Sequence, residues 1–200
     1  AITVYVICTK KAIHCTKKII FILFKRNDII LDTETFRKGI CMIAINDQLR
    51  EYMKKFSMED KILEFDVSSA TVELAAKAVG VEGARIAKTL SFLVNEQAIL
   101  IVVAGDARID NKKYKQTFSA KAKMLTPEQV DTLIGHSIGG VCPFAINEGV
   151  TVYLDESLKR FETVFPACGS SNSAIELTIP ELEKLSAPKE WVDVCKLPEA

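Results

Sequence analysis

Two stretches of this chain place reactive or hydrogen-bonding groups where they could hold an acylated, negatively charged ligand. In Ala84-Arg85-Ile86-Ala87-Lys88-Thr89-Leu90-Ser91-Phe92-Leu93-Val94, a lysine opens an apolar strand. An ammonium at the mouth of a buried strand is costly to leave unpaired and calls for an anion or a carbonyl. About fifty residues later, the loop Gly139-Gly140-Val141-Cys142-Pro143-Phe144 offers backbone N–H groups with few side chains in the way. Each stretch also has an ordinary reading. Lys88 can reach solvent from a strand end or pair with an acid such as Asp106, and glycines and prolines punctuate common turns.

The standard catalytic constellations are missing. The two histidines, His14 and His136, have no partner at metal-ligand spacing and no nucleophile elbow accompanies them. Gly135-x-x-x-Gly139-Gly140 lacks the Lys-Ser/Thr of a phosphate cradle. Cys142 and Cys168 lie beside turns without an identifiable base, which favours a passive apolar role for the thiols. A single histidine after a helix end, His136, reads as a cap or a surface residue. No metal and no cofactor is expected.

The elements that must position Lys88 and the loop follow from pattern. Asn46 caps a helix with Leu49, Tyr52, Met53 and Phe56 on one face. Ile62 to Phe65 is a strand, and Thr71 or Ser69 starts a helix over Val72–Val79 that Gly80 stops. Glu82 to Ala87 forms a helical turn. Lys88–Val94 and Ala98–Ala104 pair across the turn Asn95-Glu96-Gln97, and both are apolar on both faces, as central strands are. Asp110 to Phe118 is helical, with Lys112, Lys113 and Lys115 exposed. Thr126-Pro127-Glu128-Gln129 and Thr178-Ile179-Pro180-Glu181 are helix starts. Strands over 150–154, 164–167 and 174–177 complete the pattern. The expected fold is a mixed α/β domain, single and compact, with a mainly antiparallel, barrel-like sheet surrounded by helices.

Composition narrows the function. Two hundred residues suffice for one full core, and 26 Lys+Arg balance 26 Asp+Glu. The balance is uneven: residues 1–41 hold eight cations and three acids, leaving 18 and 23 for residues 42–200. An acidic body argues against sequence-independent coating of nucleic acid and leaves room for a local basic patch. Six cysteines without a regular framework indicate free thiols and a cytoplasmic location. The apolar run Ile19–Phe24 is six residues long, far below the roughly 20 that span a bilayer, so no membrane association is expected. Because Met42 precedes a good amphipathic helix, residues 1–41 read as an extension and 42–200 as the functional domain. The other reading of 1–41 is an edge strand or a basic arm on a nucleic-acid backbone.

Taken in order, Thr71-Val72-Glu73-Leu74-Ala75-Ala76, Ala84 to Leu90, Gly139 to Phe144 and Ala167-Cys168-Gly169 resemble the YbaK-type aminoacyl-tRNA deacylases. These include free-standing proteins and the editing domain inserted in some bacterial prolyl-tRNA synthetases. The resemblance covers roughly residues 43–186. It implies hydrolysis of the ester that joins a wrong, small amino acid such as alanine or cysteine to proline-specific tRNA. It also implies that Lys88 is the key catalytic-site residue and, with Thr89, anchors the terminal adenosine and its phosphate. Gly139, Gly140, Val141, Cys142 and Pro143 would line the acyl pocket, together with Ala167 and Gly169. In the cysteine-specific branch a serine and an acidic or amide residue stand where this chain has Ala167 and Ala174, so alanine and other small acids stay open as substrates. The implied partners are aminoacylated tRNA and, transiently, prolyl-tRNA synthetase. Lysines 112, 113, 115, 121 and 123 are candidates for contacting the tRNA backbone. Two alternatives remain: a non-catalytic module that binds aminoacylated tRNA or nucleotide ends, and a small-molecule esterase.

Overall fold

The most apolar run of the chain sets the architecture. In the computed structural model, which describes residues 48–198, Gln97–Ala104 forms strand β3, with every residue after Gln97 buried. The expected extension over 1–41 and the Asn46 cap lie outside the described residues. Strand β2, Ile86–Val94, pairs antiparallel with β3 from Ala87↔Ala104 to Val94↔Gln97. Asn95 and Glu96 join the two strands with φ of 48° and 65°. Positive φ at both central positions is the turn that matches the twist of a hairpin.

The elements around this hairpin run in the expected order. Helix α1 covers 48–55 in the described chain, and its Leu49 and Met53 are fully buried. Strand β1 is Ile62–Glu64 and helix α2 is Val72–Val79. Thr71 Oγ1 accepts the Leu74 N–H at 3.2 Å, and Gly80 ends the helix at φ 80°. A short strand β4, Arg108–Ile109, leads into α3, Asn111–Phe118, which is capped by Asp110. Helix α4, Pro127–Gln129, starts from the Thr126–Gln129 capping box and continues as a π-helical turn to Ile134. Strands β5, Thr151–Asp155, and β6, Thr163–Pro166, flank a 3₁₀ segment. Strands β7, Ser173–Ile175, and β8, Leu177–Thr178, precede α5, Ile179–Ser186. Strands β9, Glu190–Val192, and β10, Cys195–Lys196, close the chain.

The result is a mixed α/β domain with a curled six-stranded sheet in the order β8-β6-β2-β3-β5-β9. Four of the seven strand pairings among the described residues are antiparallel; the parallel ones are β2–β6, β3–β5 and β5–β9. An Ala167↔Ala174 bridge continues β6 toward β7 and so brings the β1–β7 ribbon beside the main sheet. Tyr114 of α3 packs on Phe92 of β2 and on Phe118 of its own helix, with ring centroids 5.1 and 4.7 Å away.

One boundary differs from expectation. The strand carrying Lys88 starts at Ile86, because Ile86 and Ala87 pair with Phe165 and Pro166 of β6. The expected helical turn shrinks to a 3₁₀ segment, Gly83–Arg85. Lys88 is therefore the third residue of the strand, paired with Val103 of β3 on one side and lying just past the end of the β6 pairing on the other. The left-handed Glu96 generates a prediction. An L-residue there is strained by its Cβ, so Glu96→Gly is expected to stabilise the domain by about 0.5–1 kcal/mol. The check is a higher urea midpoint at an unchanged slope.

Candidate functional site

A cavity of about 470 Å³ opens where the middle of β2 meets three loops. Its volume falls within the range of small-ligand sites. The floor is β2 from Ile86 to Ser91, and residues 88–90 are only half-buried although their strand is central. That dip in burial is the cavity itself. The walls come from residues 69–72, from Ile138, Gly139 and Val141, and from Ala167, Ser173 and Ala174. Met124 and Ile138 stand at the cavity with 58% of their surface exposed.

The loops are held together by backbone. Ser69 N–H donates to Ser171 O at 2.6 Å, which ties the segment before α2 to the turn after β6. Gly139 takes φ 87°, a conformation that suits glycine. A Cβ at Gly140 would lie 2.7 Å from Ser170 N and 2.8 Å from the carbonyl carbon of Gly169, so these two stretches of main chain touch directly. Gly140 N–H turns back on Ser137 O at 3.1 Å. The N–H groups of Gly139 and Val141 take no partner among the described residues. Those of Cys142 and Phe144 take none either, and of these four residues Gly139 and Val141 are the ones that line the cavity.

Lys88 Nζ donates to Gly105 O at 3.0 Å and Ala107 O at 2.5 Å, and Lys88 lines the cavity. Two carbonyls thus hold an ammonium that has three protons to give. Burial holds its pKa below the usual lysine value, opposed by the nearby Cys195 and Asp106. Asp106 is not its hydrogen-bond partner, because both carboxylate oxygens fork onto Arg160, at 3.0 and 2.5 Å. Thr89 Oγ1 and Ser69 Oγ are buried, sit in cavity-lining residues and have no hydrogen-bond partner among the described residues. A buried hydroxyl without a partner carries a desolvation cost that a ligand group could offset.

Of the nine residues singled out in the sequence, Lys88, Thr89, Gly139, Val141 and Ala167 line this cavity together. Gly140 and Gly169 lie behind the wall as its packing contact. Cys142 is fully buried beneath the loop, and burial pushes its thiol up to about 12, so it stays protonated at neutral pH. Pro143 borders a larger groove of about 770 Å³ beside α1, β5 and α5. Exposed charged side chains, Glu51, Lys55 and Lys189, line that groove, and it contains no unpartnered buried hydroxyl. The smaller cavity is the better candidate on chemistry. Among the described residues no group of three His, Cys, Asp or Glu could hold a metal ion, and no helix is long and apolar enough to cross a membrane.

Pattern reading did not single out Ser69, Met124 or Ile138, and it misplaced His136. That imidazole is neither cap nor surface: it is 2% exposed, and Nε2 lies 2.9 Å from Phe144 O. A carbonyl only accepts, so Nε2 carries the proton and the ring fastens the far end of the glycine loop. Cys142 Sγ lies 3.9 Å from its Nδ1.

With fold and cavity in place, comparison identifies the class. Residues 67–185 match the aminoacyl-tRNA editing domain family, and the chain belongs to that family, in its YbaK-type branch. It is 58% identical over 149 residues to the uncharacterized protein YwhH of Bacillus subtilis, covering 74% of this chain and 95% of that one. It is 28% identical to a proline–tRNA ligase of a Geobacillus strain over 62% of this chain, a match spanning only 22% of the ligase. A candidate Cys-tRNA(Pro)/Cys-tRNA(Cys) deacylase of Enterococcus faecalis, EbsC, is 28% identical, with 54% of this chain and 66% of that protein covered. Among solved structures, a candidate trans-editing enzyme for prolyl tRNA synthetase superposes with TM-score 0.68 at 31% identity, covering 78% of this chain and 97% of the other.

His136 supplies a pH prediction. Burial, opposed by the Phe144 hydrogen bond, lowers its pKa below the ordinary 6.5. The unfolded chain therefore takes up the proton first, and this part of the stability, whole above about pH 6.5, is lost as pH falls toward the lowered value. Melting temperatures between about pH 7.5 and 5 should decline less steeply in His136→Gln than in the parent protein.

Proposed function

We propose that this protein is a trans-editing hydrolase that cleaves the ester between proline-specific tRNA and a small, wrongly attached amino acid such as alanine or cysteine. The observation that carries this reading is the convergence of Lys88, Thr89, Gly139, Val141 and Ala167, separated by up to 79 positions, on one cavity. Membership of the editing family supports the reaction class, and the prolyl-tRNA ligase and deacylase relatives support the tRNA.

The chemistry needs little from side chains. An aminoacyl ester is activated, so a positioned water, or the neighbouring ribose hydroxyl, can attack the carbonyl carbon. When water attacks, the C–O bond to the ribose breaks, the ribose oxygen takes up the water's proton and the acyl carbon keeps its OH, releasing the free amino acid. Attack by the ribose hydroxyl moves the ester to that oxygen, and water must still cleave it. Loop N–H donors such as those of Gly139 and Val141 suit the oxyanion that develops in this step. The third proton of Lys88 suits the phosphate or ribose at the RNA end. Ser69 and Thr89 would offer their unpartnered hydroxyls to the polar atoms of the substrate. One part of the wall is apolar: Ala167 and Ala174 are bridge partners and both line the cavity, and the hydroxyl of Ser173 beside them is already taken by Cys168 O and Ser170 Oγ. Such a wall gives a thiol or hydroxyl no specific partner, which favours a small aliphatic acyl group. Discrimination by one methyl or methylene remains modest, about 10–200-fold.

The test is deacylation of proline-specific tRNA charged separately with alanine, cysteine and proline. One non-cognate ester should decay while the prolyl ester survives. Lys88→Ala should lower kcat/KM roughly 100-fold with the far-UV circular dichroism unchanged. Decay of all three esters at the buffer rate would reject the reaction and leave a binding module. Ser69→Ala should lower kcat/KM by about tenfold, the cost of one hydrogen bond to a substrate. It should not lower the urea midpoint, because the hydroxyl it removes has no partner among the described residues.

A further inference from the structure

The cations of residues 48–198 are not evenly employed. Arg50, Lys54, Lys61, Arg85, Lys113, Lys159 and Arg160 form ion pairs. Lys88 is held by carbonyls, and Lys184 and Lys189 lie over aromatic rings. Eight of the eighteen Lys and Arg remain without a side-chain partner among the described residues. Two are Lys55 and Lys77. The other six are Arg108, Lys112, Lys115, Lys121, Lys123 and Lys196, all exposed.

Five of these six lie within one stretch of the chain, and the sixth, Lys196, is joined to it by strand register. Residues 107–125 contain six of the eighteen cations and only one of the 23 acids found in residues 42–200. That acid, Asp110, uses its Oδ1 to cap α3, accepting from Lys112 N–H and Lys113 N–H. The stretch starts and ends at the cavity: Ala107 O receives Lys88 Nζ, while Met124 and Leu125 line the cavity at the other end. Lys196 joins from β10, where it is the register partner of Arg108. Like charges directly opposite on paired strands destabilise the pair unless an anion lies between or near them. Asp106 and Asp193 are engaged by Arg160 and Lys113. Asp110, its pKa held low by the Lys113 and Lys112 N–H groups and also by the nearby Lys196, leaves one carboxylate beside the two cations of this ribbon. Arg108 is also close enough to Lys88 for its charge to hold that lysine's pKa down.

We infer that Arg108, Lys112, Lys115, Lys121, Lys123 and Lys196 form a docking surface for the phosphate backbone of the RNA whose acylated end enters the cavity. This rests on the proposed function and adds the surface and its residues. A polyanion with its end at Lys88 has beside it a segment whose first residue holds Lys88 and whose last residues line the same cavity. The rest of residues 42–200 carries 12 cations against 22 acids and repels such a chain, so the patch also sets the direction of approach.

The probe is an RNA hairpin of an acceptor stem with its single-stranded 3′ end, uncharged for binding and aminoacylated for turnover. The test variant is Lys112→Gln, Lys115→Gln, Lys121→Gln and Lys123→Gln combined. A control of equal net charge combines Lys54→Gln, Lys55→Gln, Lys159→Gln and Lys184→Gln. Only the test variant should bind the uncharged hairpin at least about tenfold more weakly, and its slope of log affinity against log salt should fall by about 1 for each phosphate that is no longer neutralised. In turnover its KM should rise while kcat holds. Equal affinity and equal salt slope in the two variants would overturn the inference. So would loss of binding to phosphatidylserine vesicles with hairpin binding intact, which would assign the surface to a membrane. If the parent protein binds the hairpin through these lysines yet hydrolyses no aminoacyl hairpin, the hydrolase reading fails and the docking surface stands.

Discussion

The bonds from Lys88 Nζ to Gly105 O and Ala107 O join the two ends of the functional region. A lysine in the middle strand of a sheet would be expensive without partners, and main-chain carbonyls are acceptors that no substitution of their own side chains removes. By turning the chain back onto Lys88 at the end of β3, this interaction fixes the floor of the cavity and the departure point of the basic segment together. The same turn is tightly packed: a Cβ at Gly105 would lie 2.0 Å from Gly83 O. The cation is therefore held in place by backbone on one side and left with donor capacity toward the cavity on the other.

The cavity walls depend on contacts between loops far apart in sequence. Gly140 against Gly169 and Ser170, Ser69 against Ser171, and His136 against Phe144 join three loops that carry no regular structure of their own. Contacts made through main chain tolerate little displacement, because an added methyl group has no free space to enter. The wall is thus rigid where the backbone touches and apolar where side chains project, a combination suited to measuring the size of a ligand.

Much of this was legible in the sequence, for identifiable reasons. Helix starts at Thr71, Thr126 and Thr178 were readable because capping is local chemistry, and each has the expected side-chain bond. The central hairpin was readable from its continuous apolar run. The start of β2 was misplaced because Ile86 is made a strand residue by Phe165, whose pairing no local pattern records. The burial of His136 was hidden for the same reason, since its bond to Phe144 O closes the loop in a way no local pattern records, whereas the passive, apolar reading of Cys142 fits its full burial. Ser69 left no signal, since a serine before a helix reads as a cap, and the cap here is Thr71.

The order of the sheet has a consequence for the behaviour of the protein in concentrated solution. Its outermost strands, β8 and β9, are two and three residues long, and β8 leads directly into α5. An edge this short presents too few unpaired N–H and C=O groups to recruit a strand from another molecule. The long β3, apolar in every residue after Gln97 and thus a segment that would pair readily if exposed, is flanked on both sides by β2 and β5 and reaches no edge. Resistance to aggregation is therefore a property of strand order here, and the residues around the cavity remain free of that duty.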